Sequence, residues 1–191
     1  PSEADASQHV RTSFLRRVAH DIASPTGVTL TVLEELAAAE RPRPELVAMA
    51  RRSLRRLMRL SEHLALAAEL ESGSLQPEAS VIDARTLTKE ALDDAVAIDG
   101  RKDVVTACDL PSEPMLVNAD RRLLLVTLRE IVGNALKLAS SRVEVTVRGA
   151  AVETGAVVIR VEDDGPGFSE DARAALGLRF VRRSASRGLG L

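Results

Sequence analysis

The sequence predicts an α+β protein in which an antiparallel helical hairpin is followed by an α/β sandwich. Apolar residues recur at steps of three and four over two long segments, which residues 40–44 separate with two prolines. Apolar and polar residues alternate over residues 142–148, as they do in a half-buried strand. Between residues 82 and 161, further helical patterns are interspersed with short strand patterns. These observations place a helical region before a mixed region of helices and strands.

The first helix is predicted over residues 7–39. His20 lies two residues from Val18 and two from Ile22, so at about 100° per residue it faces away from the apolar stripe and towards solvent. Pro25 removes a helix hydrogen bond, kinks the axis and frees backbone carbonyls one turn back, near His20. The simpler interpretation is a surface histidine on a proline-kinked helix. The predicted stripe consists of Leu15, Val18, Ile22, Pro25, Thr29, Val32 and Leu36.

The second helix is predicted over residues 45–71, and Ser72-Gly73 closes it with a glycine stop. Its inward side again follows steps of four and three. One hairpin cannot enclose its own apolar stripe, so we expect two hairpins to pair into a four-helix homodimer. The stripe of this helix consists of Leu46, Ala50, Ser53, Leu57, Leu60, Leu64 and Ala67.

The second helix also carries a basic face. Such charge runs usually form a solvated surface, and the alternative is a docking surface for an acidic partner. Binding of nucleic acid is disfavoured, because the net charge is −2 and the chain has neither Trp nor Tyr to stack on bases. The single cysteine, Cys108, excludes an intrachain disulfide. The basic face consists of Arg51, Arg52, Arg55, Arg56 and Arg59.

After a linker at residues 75–80, the pattern becomes that of a mixed sheet with helices on one face. Asp120 is a suitable N-cap for one of these helices. The inward residues of the other helix are Leu87, Ala91, Leu92 and Ala95. The predicted elements are helices at 82–98 and 121–139 and strands at 104–108, 115–117, 142–148 and 156–161.

Three stretches in this half carry chemistry. Glu130 and Asn134 lie one turn apart on one helix face, and an amide oxygen is a good ligand for Mg²⁺. Asp163 ends a strand just before Gly165 and Gly167, where its carboxylate can accept a hydrogen bond from an exocyclic amine such as that of adenine. The two glycines let the backbone approach a ligand. Taken singly, the amide is an ordinary hydrogen-bonding group and the glycines are ordinary turns.

A second glycine pair, Gly188 and Gly190, would bind phosphate through free N–H groups if it opened a helix. In this order and spacing, the motifs resemble those of a sensor histidine kinase of two-component signalling. The resemblance covers nearly the whole chain. Its boxes are the H-box at residues 14–25 around His20, the N-box at 130–138, the G1 box at 163–167, the F-box at Phe180 and the G2 box at 188–191. Residues 64–73 and 118–123 also resemble family segments.

The resemblance implies the domain organisation. Residues 1–72 would form the dimerisation and histidine-phosphotransfer domain, and residues 73–80 a linker. Residues 81–191 would form the catalytic ATP-binding domain, a Bergerat-fold sandwich whose lid is residues 168–187. Because the family normally continues with a helix and closing strands, we expect the sequence to be a fragment, truncated after the G2 box. We expect it to be cytoplasmic, or the cytoplasmic part of a receptor anchored in the membrane by other segments.

The resemblance also implies the activity, that of an ATP-dependent protein-histidine kinase. His20 would attack the γ-phosphate of ATP, with Asp21 orienting the imidazole and acting as general base. The phosphoryl group would then pass to an aspartate in the receiver domain of a response regulator. Asn134, with Glu130, would hold Mg²⁺, Lys137 would contact phosphate and Asp163 would bind adenine. The remaining nucleotide-binding positions would be Gly165, Gly167, Phe180, Gly188 and Gly190.

The chain departs from the family pattern at three candidate catalytic positions. Asp21 replaces the usual Glu, as in some subfamilies. Ser24 replaces the Thr or Asn tied to phosphatase activity, which keeps a hydroxyl there. Glu130 replaces the first N-box Asn, and gyrase-type ATPases carry Glu there as a base. It could therefore serve as a second base or favour ATP hydrolysis.

Three alternatives to the kinase follow from these features. A phosphotransfer or scaffold protein with weak or no kinase activity would keep His20 and lose Asn134, Asp163 or the glycines, yet all are present. A gyrase-like ATPase, suggested by Glu130, would have no need of the hairpin around His20. A coiled-coil adaptor leaves the glycine boxes unexplained.

Overall fold

A computed structural model of the chain describes residues 3–39, 41, 43–99, 101, 103–149 and 156–167, with side chains described from Val18 onward. These residues form two compact units, one up to Leu75 and the other comprising Gln76–Gly167. The elements in order are α1 (Glu3–Ala38), α2 (Pro44–Ser72), β1 (Ala79–Asp83), α3 (Ala84–Asp99), β2 (Val105–Asp109), β3 (Leu116–Asp120), α4 (Arg121–Leu138), β4 (Arg142–Gly149) and β5 (Val157–Asp163).

The first unit is the predicted helical hairpin, in which α1 packs against α2. All seven predicted stripe residues of α2 are buried or half-buried. On α1 the same holds from Val18 onward except for Ile22, whose side chain is 41% exposed. His63 of α2 is also buried, although the predicted stripe did not include it. Among the described helices, none is both long enough and apolar enough to cross a membrane.

Helix α1 continues through Pro25, beside which two threonine hydroxyls donate to helix carbonyls, and α2 ends at a glycine. Pro25 is buried inside α1, and the hydroxyl of Thr26 donates to the carbonyl of Ile22 at 2.7 Å. The hydroxyl of Thr29 donates to the carbonyl of Pro25 at 2.8 Å. Gly73 has φ +69°, the left-handed conformation of a helix stop, which confirms the predicted end of α2.

The strands of the second unit form two sheets. Strands β2, β4 and β5 form a mixed sheet in which β2 and β4 are parallel and β4 and β5 are antiparallel. Strands β1 and β3 pair separately as an antiparallel ribbon, with Val81 opposite Asn118. The prediction of a single mixed sheet was therefore wrong in one respect, because the mixed sheet is accompanied by this ribbon.

The ribbon also corrects the start of the first helix in this unit. The sequence predicted a linker to residue 80 and a helix from residue 82, whereas β1 occupies Ala79–Asp83 and α3 begins at Ala84. The physical reason lies at Asp83, whose Oδ1 accepts the backbone N–H of Arg85 at 3.1 Å. A side-chain acceptor just before the first turn fixes the helix start.

The core of the second unit lies where α3 and α4 pack together against the larger sheet. The four inward residues predicted for α3 are all buried. One cluster joins two of them, Leu92 and Ala95, to α4 and to the inward side of β4, and it includes Val132, Leu136, Val143 and Val145. A second cluster consists of Leu87, Ala91, Leu125 and Leu128. The helices therefore cover one face of the sheet, as predicted.

Asp83 is the centre of a clamp that joins β1 to the loop before β3. Its carboxylate pairs with the Arg85 guanidinium at 2.8 Å and accepts the N–H of Met115 at 3.2 Å. Arg85 also donates to the carbonyls of Pro111, at 3.0 Å, and Ser112. The hydrogen bond from Arg85 holds the pKa of the Asp83 carboxyl well below its usual range, although partial burial opposes it.

This lowered pKa predicts acid sensitivity. Because the folded state favours the ionised carboxylate, Asp83 stabilises the fold above the unfolded pKa of about 3.9 and loses this contribution as pH falls further. In urea unfolding followed from pH 7 to pH 2, Asp83→Asn should be less stable than wild type at pH 7. Below about pH 4, the free energy of unfolding of the variant should also fall less steeply with decreasing pH than that of wild type. The difference in slope should correspond to the uptake of up to one proton on unfolding. If the free energy of unfolding of Asp83→Asn changed with pH as steeply as that of wild type, the lowered pKa of Asp83 would be contradicted.

Candidate active site

His20 lies on α1 with an acid beside its ring. Its side chain is 79% exposed, which confirms the prediction that it faces solvent. Nδ1 lies 3.3 Å from Oδ1 of Asp21, whose side chain is only 25% exposed. An Nδ1–H that donates to this carboxylate leaves the lone pair of Nε2 free. Ser24, one turn further along α1, is also exposed.

Helix α4 presents Glu130, Asn134 and Lys137 on one side. The helix begins at Asp120, whose Oδ1 accepts the N–H of Leu123 at 2.9 Å, as predicted for an N-cap. Its apolar residues turn towards the core, so Asn134 is exposed while Glu130 and Lys137 are half-buried. The face predicted to carry chemistry is therefore the face that the core leaves accessible. At the start of the helix, backbone N–H groups, led by that of Leu123, lower the pKa of Asp120.

Lys137 lies beside an acid that the sequence analysis did not select. Its Nζ is 3.7 Å from Oδ2 of Asp99, at the end of α3. The Asp99 side chain is only 4% exposed and that of Lys137 is 23% exposed. A nearly buried carboxylate requires compensation, and this ammonium supplies part of it. No sequence signal could have paired them, because the two residues lie on different helices.

The turn after β5 is tight. Asp163 is the last residue of β5, and its Oδ1 accepts the N–H of Gly165 at 2.9 Å. A Cβ added at Gly165 would lie 2.4 Å from the carbonyl oxygen of Leu138, at the end of α4. Gly167 has φ +69°, which other residues adopt only with strain. Gly165 therefore has no room for a side chain, and Gly167 has a backbone conformation that favours glycine.

This packing brings the two candidate stretches together. Leu138 lies one helical turn after Asn134 on the same side of α4. Because Gly165 packs against the carbonyl of Leu138, the turn that follows Asp163 is held at the carboxyl end of this helix. The sequence predicted both stretches, and their proximity is a result of the fold.

Asp164 is a residue of this turn that the sequence analysis missed. Its carboxylate accepts hydrogen bonds from Ser141, between α4 and β4, and from the N–H of Arg142, the first residue of β4. These donors, the hydroxyl of Ser141 foremost, hold the pKa of Asp164 well below its usual range. Its partners lie more than 20 residues away in the sequence, so only the structure reveals them.

Phe180, Gly188, Gly190 and the predicted lid at 168–187 lie outside the described residues. A separate cavity of about 410 Å³ lies on the outward face of β4 and β5, away from the α4 side. It is lined by Thr146, Arg148, Gly149, Val158, Arg160 and Glu162.

The sequence is similar to a known protein family and to several characterised proteins. Residues 119–191 match the family described as histidine kinase-, DNA gyrase B-, and HSP90-like ATPase. The swarming motility regulation sensor protein RssA of Serratia marcescens is 30% identical over 98% of this chain and 41% of its own length. The signal transduction histidine-protein kinase AfsQ2 of Streptomyces coelicolor is 31% identical over 93% of this chain and 35% of its own. Over nearly its whole length, the chain is similar to sensor histidine kinases.

Solved histidine kinases share the fold. Full-length ShkA in complex with AMPPNP matches with a TM-score of 0.56 and 21% identity, over 92% of this chain and 37% of ShkA. Histidine kinase ThkA, in complex with response regulator protein TrrA, matches with a TM-score of 0.50 and 16% identity, over 94% of this chain and 53% of the solved one. By comparison with the sensor proteins described above, the chain spans less than half the length of RssA and of AfsQ2.

Proposed function

We propose that the chain acts as an ATP-dependent protein-histidine kinase. In this proposal His20 accepts the γ-phosphoryl group of ATP and passes it to an aspartate in the receiver domain of a response regulator. The observation that carries the proposal is the exposed imidazole of His20 with the Asp21 carboxylate 3.3 Å from Nδ1. A structural role gives no reason for an exposed imidazole, whereas a phosphoacceptor must be accessible.

The geometry at His20 suits nucleophilic attack. With hydrogen on Nδ1 facing Asp21, the lone pair of Nε2 attacks the γ-phosphorus, and the bond from that phosphorus to the β,γ-bridging oxygen breaks as ADP leaves. Attack makes the imidazole cationic, and the Asp21 carboxylate stabilises this charge and takes the Nδ1 proton. Asp21 therefore acts as orienting group and base. Little covalent work remains for the protein, so positioning and neutralisation of charge supply most of the catalysis.

The residues of α4 and β5 suit a nucleotide. Asp163 would accept a hydrogen bond from the exocyclic amine of adenine. Lys137 would move its ammonium from Asp99 to a phosphate, which presents more negative charge. The ATPase family match over residues 119–191 supports ATP as the nucleotide. We accordingly propose residues 1–72 as the dimerisation and phosphotransfer domain, 73–80 as a linker and 81–191 as the ATP-binding domain.

The donor set also suits Mg²⁺. Within the described residues, no group of three or more His, Cys, Asp or Glu could hold a metal by itself. Mg²⁺ usually takes only one or two protein oxygens and completes its shell with phosphates and water, so Asn134 and Glu130 are sufficient. The ion would neutralise charge on the phosphates.

The hairpin supports the proposed homodimer. Large apolar side chains remain exposed on it although α1 and α2 already pack together, and a second hairpin would cover part of them. They include Ile22, Leu30, Leu33, Leu54 and Met58. The response regulator is the proposed second partner, since the ThkA structure was solved with such a protein. Ser24, exposed one turn from His20, is a candidate for removing phosphate from that regulator.

Incubation with γ-labelled ATP and Mg²⁺ tests the proposal. The expected result is protein-bound label that is stable in base and lost in acid, as a phosphoramidate is. ATP hydrolysis is the second candidate, favoured by Glu130 on the same helix face as Asn134. It would instead give labelled inorganic phosphate from the start and no label on the protein.

A further inference from the structure

The carboxylate of Asp164 gathers several hydrogen bonds from one short segment. The N–H of Ser141 lies 2.9 and 3.1 Å from its two oxygens, and the hydroxyl of Ser141 donates at 2.6 Å. The N–H of Arg142 donates at 2.9 Å. In return, the N–H of Asp164 donates to the carbonyl of Arg142 at 3.2 Å. We call this set of hydrogen bonds the Asp164 brace.

The brace joins the two stretches that carry the proposed nucleotide site. Ser141 lies three residues after the end of α4, the helix of Asn134 and Lys137, and Arg142 is the first residue of β4. Asp164 follows directly after Asp163 at the end of β5. The contact of Gly165 with the carbonyl of Leu138 lies beside the brace. The end of β5 is therefore attached, by charge-assisted hydrogen bonds of the stronger kind, to the α4–β4 connection and the first residue of β4.

The turn that contains the brace also makes a hydrogen bond to Asp163. One carboxylate oxygen of Asp163 accepts the N–H of Gly165, so the direction of this carboxylate depends on the conformation of the turn. The brace fixes the residue between them. If the turn were released from Ser141 and Arg142, the carboxylate of Asp163 would no longer be held in a single orientation.

We infer that Asp164 is a positioning residue for adenine recognition, which acts by holding the turn whose Gly165 N–H orients the Asp163 carboxylate at the end of α4. This inference rests on the proposed function, because it assigns Asp164 a role through Asp163. It predicts a loss of selectivity for the base as well as of affinity. Substitution of a merely structural residue would weaken the binding of all nucleotides alike. Loss of the brace would affect the one proposed contact that distinguishes adenine from guanine.

Equilibrium binding of ATP and GTP to the full chain tests the inference. Asp164→Ala removes every acceptor, so ATP binding should weaken about tenfold while GTP binding stays within about twofold. The ratio of ATP to GTP affinity should thus fall about fivefold to tenfold. Asp164→Asn should retain most of the ratio, because the amide oxygen still accepts both N–H groups and its NH₂ can donate to the Ser141 hydroxyl.

Two further variants make the result decisive. Glu144→Gln is the matched control, because it changes an acid on β4 that pairs with Arg142 through the guanidinium and not through the brace. It should leave the ratio unchanged. Ser141→Ala removes one bond of the brace and should lower the ratio about twofold to threefold, even if Asp164→Ala does not fold.

The outcomes separate the inference from the proposed function. A wild-type chain that prefers ATP, with Asp164→Ala and Ser141→Ala keeping the wild-type ratio, overturns the inference alone. A wild-type chain that binds ATP and GTP equally overturns the adenine role of Asp163 and with it the inference, whereas a chain that binds neither nucleotide overturns the proposed function as well.

Discussion

Replacing His20 with glutamine should abolish acid-labile labelling from γ-labelled ATP, by at least about a thousandfold, as expected when a nucleophile is removed. A glutamine amide nitrogen has no available lone pair, so it cannot replace Nε2. Because the His20 side chain is 79% exposed, the substitution should leave the hairpin folded. Binding of ATP should be unchanged, since the proposed nucleotide-binding residues lie in 81–191 and not on α1.

His9→Gln is the matched control, because His9 also lies on α1 and is the other histidine of that helix. It should be labelled like wild type. Label that survives His20→Gln would assign the phosphoacceptor to another residue. Loss of label with a parallel loss of ATP binding would show that the substitution had disturbed the protein more widely.

Replacing Gly165 with alanine should have the second large effect. The new Cβ would lie 2.4 Å from the Leu138 carbonyl oxygen and 2.6 Å from Oδ1 of Asp163. The first neighbour is backbone, which cannot move without shifting α4 or the turn. Overpacking of this kind costs about 1–3 kcal/mol. We expect a lower urea midpoint by circular dichroism and loss of ATP binding, because the turn would move away from the helix of Asn134.

Two other glycines calibrate this result. Gly167 has φ +69° but nothing within 4 Å, so alanine there should cost only about 1–2 kcal/mol of left-handed strain. Gly27 lies inside α1 with nothing within 4 Å, so alanine should stabilise the hairpin by about 1 kcal/mol. ATP binding that survives Gly165→Ala would show that the turn need not contact α4 for function.

The sequence predicts well those features that depend on near neighbours in the chain. The exposure of His20 follows from its position relative to Val18 and Ile22, and the start of α4 follows from Asp120. The glycine turn after Asp163 is equally local. In each case the deciding residues lie within about one helical turn or one tight turn, where periodicity and capping rules apply.

The missed features all depend on distant partners. Strand β1 has only five residues, and it is defined by pairing with β3, far along the chain. The brace of Asp164 and the pairing of Lys137 with Asp99 also join residues from separate elements. Nothing near these residues in the sequence indicates which partner the fold will supply, so they could be found only from coordinates.

The parallel pairing of β2 with β4 has a consequence for synthesis of the chain. Among the described strands, β2 pairs only with β4, which the ribosome makes after β3 and the whole of α4. The nascent chain must therefore carry Val105–Asp109 as an unpartnered edge until Arg142–Gly149 has left the exit tunnel. Such a delay is the situation in which incomplete sheets associate with other chains, and in which chaperones act.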